Sequence, residues 1–313
     1  SRRNGDGERD KVSSSQLRTP SQMKRWNGWG YESVQVPVPA NVSPLLGELA
    51  GPAHPRTDAP IERVLERVPS SRLPHHLLLD RSEETRLRHA RGQSLSDWLE
   101  LRYGSVNSFP DAVAFPRHLD ELRQVMELAE HEQAVVIPYG GGTSVVGHIT
   151  PPSDKGPVMT VSLQRLNDLK ELNRADSLAT FGAGVAGPDL EATLRSKGYT
   201  LGHFPQSFEL STLGGWAVTR SSGQQSLGFG RIEDMFAGGL LLSPAGDLEL
   251  PCMPASAAGP DLRQLIMGSE SRMGILAEAT VRVVRQPAVE RFAAILFPDW
   301  EPAVETATEL VRS

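Results

Sequence analysis

The stretch "VVIPYGGGTSVVGHITPP" occupies residues 135–152. A short β-branched run delivers the chain into Gly140, Gly141 and Gly142, and Thr143, Ser144 and Gly147 follow. Apolar β-branched residues that stop at glycines read as a buried strand entering a tight loop. Backbone this bare lets N–H groups approach an anion without obstruction from Cβ, and two hydroxyls stand beside it. A nucleotide P-loop needs Lys and then Ser or Thr after its last glycine, whereas the next lysine here is Lys155, so that motif is excluded. Taken alone, the loop leaves an anion-holding nest and a plain glycine turn equally open.

On either side the pattern alternates between strand and helix. "DAVAFP" (111–116) reads as a strand, and residues 118–132 place Leu119, Leu122, Val125, Met126 and Ala129 at helical spacing. "AVVIP" (134–138), "VMTVSL", "SLATFGAG", "YTLG" and "LAEATVRVV" (276–284) read as strands, and "PDLEATLRSKG" and "PDLRQLIMG" as helices. "LLLSPAGDLEL" reads as a hairpin. The rhythm is not a strict βαβ repeat, so an α+β fold with mixed sheets is expected rather than one doubly wound parallel sheet.

Glycine recurs in three more places. "FGAGVAGPDLEATL" matches G-x-G-x-x-G at Gly182, Gly184 and Gly187 between a strand and a helix. Pro188 removes a donor from the first helical turn, and no acidic residue follows at the ribose-binding distance, so a tight turn needing small residues and positive φ is the expectation there. Residues 203–235 form a second, Ser/Thr/Gly-rich loop system with few charges, suited to wrapping a large planar ligand. Residues 266–281 supply a third loop around Gly268, Ser269, Glu270 and Gly274. Three such loops along one domain point to one long cofactor.

The 313 residues carry a net charge of −6, which disfavours a nucleic-acid partner. Cys252 is the single cysteine, so neither an internal disulfide nor a cysteine-rich metal site is available. No apolar run reaches the roughly 18 residues of a membrane span, and no secretory signal is seen in the polar first 25 residues, so a cytoplasmic protein is expected. Residues 1–60 read as a flexible tail (1–22) and a Pro/Gly-punctuated extended arm anchored by Trp26, Trp29 and Tyr31. Residues 61–106 read as a helical segment, 107–288 as the main domain, and 289–313 as a strand and helix that begin a further unit. Adjacent His75 and His76 do not face one ligand and read as surface residues; no metal site is expected.

"PYGGGTSVVG", "STLGGWAVTRSSG", "GFGRIED" and "GPDLRQLIMGSESRMGILAEATVRV" together resemble the FAD-binding domain of the vanillyl-alcohol-oxidase (PCMH-type) flavoprotein family. Within it the chain is most similar to the alkyldihydroxyacetonephosphate synthases and their bacterial relatives, from about Gly92 to Pro287. The resemblance implies two α+β subdomains with FAD between them, followed by a cap domain that is largely missing here. It assigns Pro138, Tyr139, Gly140, Gly141, Gly142, Thr143 and Ser144 to the FAD pyrophosphate. Gln206, Ser207, Phe208, Glu209, Leu210, Ser211 and Thr212, with Thr219, Arg220, Ser221 and Ser222, would line the flavin and ribityl region. Glu270, Ser271, Arg272, Met273, Gly274, Ile275 and Leu276 would lie along the rest of the cofactor. Gln206 stands where the family commonly has Asp, Ser271 and Arg272 replace small residues, and His148 has no assigned role.

The family's substrate-handling Tyr, Arg and His cluster has no match in this chain, so the catalytic residues are expected beyond Ser313. The implied activity is exchange of acyl for alkyl on an acyl-dihydroxyacetone phosphate. The alternatives are FAD-linked oxidation of a 2-hydroxy acid or alcohol, and a non-catalytic flavin-binding protein. The expected partner is a small-molecule or lipid-like substrate, with peripheral membrane contact and a homodimer left open.

Overall fold

A computed structural model describes residues 23–52, 56–291 and 293–312. The tail expected over 1–22 lies outside the described residues. In chain order the strands are β1 (Leu79–Asp80), β2 (Ala112–Ala114), β3 (Val135–Tyr139), β4 (Val158–Ser162), β5 (Leu169–Asn173), β6 (Leu178–Gly182), β7 (Tyr199–Thr200), β8 (Phe236–Ser243), β9 (Gly246–Leu250), β10 (Ile275–Arg282) and β11 (Val284–Arg285).

The first sheet runs β1-β2-β4-β3. Every residue of β4 is buried, as a strand covered on both faces requires, and β2 and β3 lie parallel on its two sides. Register places both Val113 and Ile137 opposite Thr160. The helix Leu119–His131 links β2 to β3 and buries Leu122, Val125 and Ala129, one stripe of its surface. Its first turn is capped by His118, whose ring accepts from the Glu121 amide.

The second sheet is antiparallel, in the order β5-β6-β10-β8-β9. Its largest core joins β6, β8 and β10 to the helices Gly187–Arg195 and Leu213–Thr219. The two sheets share a second core, in which Met159 and Leu163 of the first meet Leu242, Ile275 and Ala277 of the second. Each such side chain contributes about 1.5–3 kcal/mol when fully buried, so the seam between the sheets is a packed one.

The fold class is thus α+β, as the broken strand–helix rhythm implies, with one mixed sheet packed on one antiparallel sheet. Four local readings are corrected. The arm contains a helix, Val42–Ala50, that buries none of its residues. The helical segment contains β1, paired antiparallel to β2. Residues 213–219, read as loop, form a helix capped by Thr212, with Leu213, Trp216 and Val218 turned inward. At the C-terminal end the helix Trp300–Arg312 forms, but no strand precedes it among the described residues after 285. Trp26 does anchor the arm, packing against the cluster of Val64, Leu87, Ala90 and Leu101, whereas Trp29 is exposed.

Candidate functional site

The glycines at the end of β3 are required by protein contacts rather than by open space. A Cβ on Gly140 would strike the Thr212 side chain. One on Gly141 would lie 2.7 Å from the Leu210 carbonyl carbon and 2.9 Å from Ser211 Cα. Gly142 adopts φ +73°, and its Cβ would lie 2.6 Å from Cζ of Tyr139. The loop is therefore pressed onto residues 210–212, about 70 positions further along the chain. It is also held from behind: the Gln93 amide donates to the Ser144 carbonyl at 2.6 Å, and Gln93 is fixed by Trp98 Nε1 at 2.7 Å. Lys24 Nζ donates to the Gly141 carbonyl at 3.4 Å.

Packing takes up the Cβ side of the loop and leaves its amides free. From Gly140 to Val145 no backbone N–H meets an acceptor among the described residues. Val145 is exposed, but Gly140 to Ser144 are part-buried or buried, where backbone donors are otherwise nearly always satisfied. A run of unpartnered donors is what an anion-holding nest requires. The other glycine loop behaves in the opposite way. The amides of Ala183, Gly184, Val185 and Gly187 all donate, to Ala277, Leu166, Gly182 and Ser211 respectively. Gly182, Gly184 and Gly187 do not take positive φ; they are glycine because backbone or ring atoms of 163–167 and 208 sit against them. The tight-turn reading of that motif holds, through close approach rather than through φ.

The free amides line a cavity of about 330 Å³, within the range of small-molecule sites. All seven residues expected at 138–144 line it, together with Ser207, Ser211, Thr212, Thr219, Ser221, Glu270, Ser271 and Leu276. The others point elsewhere. Gln206, Glu209 and Ser222 are exposed outside it, and Phe208 stacks on Trp216 at 6.3 Å. Leu210 lines a separate cavity behind the glycine loop. Arg220 turns to the Met267 carbonyl and Gln264 Oε1, at 3.1 and 2.9 Å. Arg272 and Met273 lie off the wall, Gly274 abuts the Leu242 carbonyl, and Ile275 is core. Gly214, Gly215, Trp216 and Val218 also line the cavity and were not expected. They belong to the helix that its glycines concealed.

One histidine, His148, stands at this wall, and another, His203, lies behind it against Ser221. His203 is 1% exposed, its Nε2 is 3.2 Å from Ser221 Oγ, and its ring meets Trp216 edge-on at 5.0 Å. Burial pushes its pKa down to about 4, so it is neutral near pH 7. His148 Nδ1 lies 3.2 Å from Ser144 Oγ and 3.6 Å from Glu270 Oε2. Burial lowers the His148 pKa, with Glu270 opposing and Arg272 adding to that shift. Below the glycines, burial pushes the Tyr139 phenol up to about 12, which keeps it a neutral donor to the Arg88 carbonyl at 3.4 Å. Glu270 and Ser271 both adopt positive φ, +51° and +63°. No cluster that could hold a metal ion occurs among the described residues, His75 and His76 are both exposed, and no helix there is long and apolar enough to cross a membrane.

Residues 110–249 match the family described as "FAD binding domain". The chain is 38% identical over 228 residues to the alkyldihydroxyacetonephosphate synthase of Dictyostelium discoideum, covering 73% of this chain and 37% of that one. It is 29% identical over 208 residues to glycolate oxidase subunit GlcD of Bacillus subtilis, covering 66% of this chain and 44% of that one. A solved structure of an alkyldihydroxyacetonephosphate synthase superposes with a TM-score of 0.73 at 30% identity, covering 86% of this chain and 54% of that one. The chain thus spans about half, or less, of the length of these relatives.

Proposed function

We propose, from this chain's membership of the flavoproteins that carry this FAD-binding domain, that the cavity lined by the glycine loop holds the cofactor for exchange of acyl for alkyl on an acyl-dihydroxyacetone phosphate. The observation that carries the site is the run of unpartnered amides from Gly140 to Val145. A diphosphate satisfies such donors and offsets the cost of leaving them bare in a half-buried loop. The hydroxyls of Thr143 and Ser144 extend the same cradle. Ser207, Ser211, Thr219 and Ser221 offer hydroxyls to the ribityl chain and flavin edge, and Trp216, Val218 and Leu276 give the cavity its apolar wall. FAD, when bound, supplies the redox-active ring on which this family's chemistry depends.

The residues on this wall bind and orient. His203 holds Ser221 from behind and, being neutral, adds no charge beside the site. Glu270 places a carboxylate at the cavity beside His148 and the Ser144 end of the glycine loop. The similarity to a glycolate oxidase subunit supports a second reading, FAD-linked oxidation of a 2-hydroxy acid. Substrate addition without oxygen separates them. Bleaching of the flavin absorbance by a 2-hydroxy acid supports oxidation; replacement of the acyl group of an acyl-dihydroxyacetone phosphate by the alkyl group of a fatty alcohol, with release of the fatty acid and no net bleaching, supports the synthase-like reaction. A purified chain that is colourless and takes up no FAD overturns both.

A further inference from the structure

His148 lies where two loops from different sheets meet. The 140–149 loop leaves the first sheet from β3, and the 268–274 loop enters the second through β10; both contribute to the cavity wall. One ring nitrogen, Nδ1, is 3.2 Å from Ser144 Oγ on the first loop and 3.6 Å from Glu270 Oε2 on the second. Among the described residues no other hydrogen bond or ion pair joins these loops. Both of its partners are held in place. Ser144 Oγ accepts from the Val146 amide at 3.4 Å, and the Glu270 amide donates to the Val218 carbonyl at 2.8 Å.

We propose that His148 is a positioning residue for the cofactor: it clasps the glycine loop to the 268–274 loop across the cavity mouth and slows release of FAD. The inference rests on the reading of the cavity as an FAD site. Because both contacts converge on the same nitrogen, the arrangement is not a proton relay to a nucleophile, which would need both ring nitrogens. Its consequence is electrostatic and mechanical. A carboxylate at the wall repels an incoming diphosphate, and an imidazolium next to Glu270 cancels that repulsion while it holds the loops together. The charged groups that face His148 are Glu270, which favours its protonation, and Arg272, which opposes it together with burial. A diphosphate seated on the adjacent amides adds negative charge and favours the protonated ring. The clasp is therefore tighter in the loaded protein, and tighter as pH falls.

The test measures FAD release from the full chain, by recovery of flavin fluorescence after dilution, between about pH 5.5 and pH 8.5. Release from the unmodified protein slows toward the acid end. His148→Ala and the shape-conserving His148→Gln release FAD about 3- to 30-fold faster near pH 6, the range for losing a partly exposed charged contact, and their pH profiles are flat. Glu270→Gln also flattens the profile and, by removing the carboxylate that a neutral His148 leaves uncancelled, slows release near pH 8.5. The double variant His148→Ala with Glu270→Gln is no faster than His148→Ala alone. Release from His148→Gln at the unmodified rate, an unchanged pH slope, or additive effects in the double variant overturns the clasp and leaves the FAD site standing. An unmodified chain that takes up no FAD overturns the cavity reading and the clasp with it.

Discussion

Replacing Gly141 by Ala separates the two reasons a glycine can stand in this loop. If the residue is bare to admit a ligand, the added methyl group harms only the loaded protein. The structure predicts otherwise, because the new Cβ would lie 2.7 Å from the Leu210 carbonyl carbon and 2.9 Å from Ser211 Cα, both backbone atoms that no rotamer change can move aside. Overpacking of this kind costs about 1–3 kcal/mol. At about 2–4 °C per kcal/mol for a domain of this size, the apoprotein should melt about 2–12 °C lower. The methyl also pushes the amides of 140–145 off their alignment, so FAD affinity falls as well. Differential scanning calorimetry of the apoprotein and an FAD titration give the two numbers. Gly28→Ala, where a Cβ meets nothing within 4 Å, serves as the control and should leave both unchanged. An apoprotein of unchanged stability with weakened FAD binding would refute the packing argument.

The other predictions concern single residues. Ser271→Gly should stabilise the protein by about 1–2 kcal/mol, since Ser271 sits at φ +63° where a side chain is strained; a raised urea midpoint checks it. His203 has a pKa near 4 in the folded chain against 6.5 as its ordinary value, so the unfolded state binds the proton first. Its contribution is complete above about pH 6.5 and is lost as pH falls toward 4, about 3 kcal/mol in all; His203→Asn should flatten the acid limb of the stability profile by up to one proton. Asp111→Ala should cost about 2–4 kcal/mol by leaving the amides of Arg72 and Val158 without their acceptor; chemical denaturation measures it.

The elements with a clean period were legible from the residues alone. Leu122, Val125 and Ala129 mark a helix because no glycine or proline interrupts their stripe, β4 and β10 are largely buried apolar runs, and β3 opens on the β-branched Val135, Val136 and Ile137. The helix Leu213–Thr219 was not legible, since Gly214 and Gly215 imitate a loop. Gly214 is small because Ala183 lies against it, with its Cβ 2.7 Å from where a Gly214 Cβ would stand. The position of the glycine loop was legible, but the cause of its composition was not. Its neighbours at 210–212 are distant in sequence, and only the fold brings them together. The same limit explains Arg220: the resemblance assigned it to the flavin region, while its left-handed backbone aims it at the 264–267 turn.

Central to the proposal is that the free amides of 140–145 form the cofactor's anion cradle, whereas the amides of 182–185 and 187, bonded within the protein, do not. Hydrogen–deuterium exchange followed peptide by peptide, with and without FAD, measures both loops in one experiment. The account predicts that FAD slows exchange across 140–145 and leaves 182–187, where every amide but that of Ala186 is already bonded within the protein, unchanged. Unaltered exchange at 140–145 in an FAD-loaded chain, or new protection confined to 182–187, would contradict it.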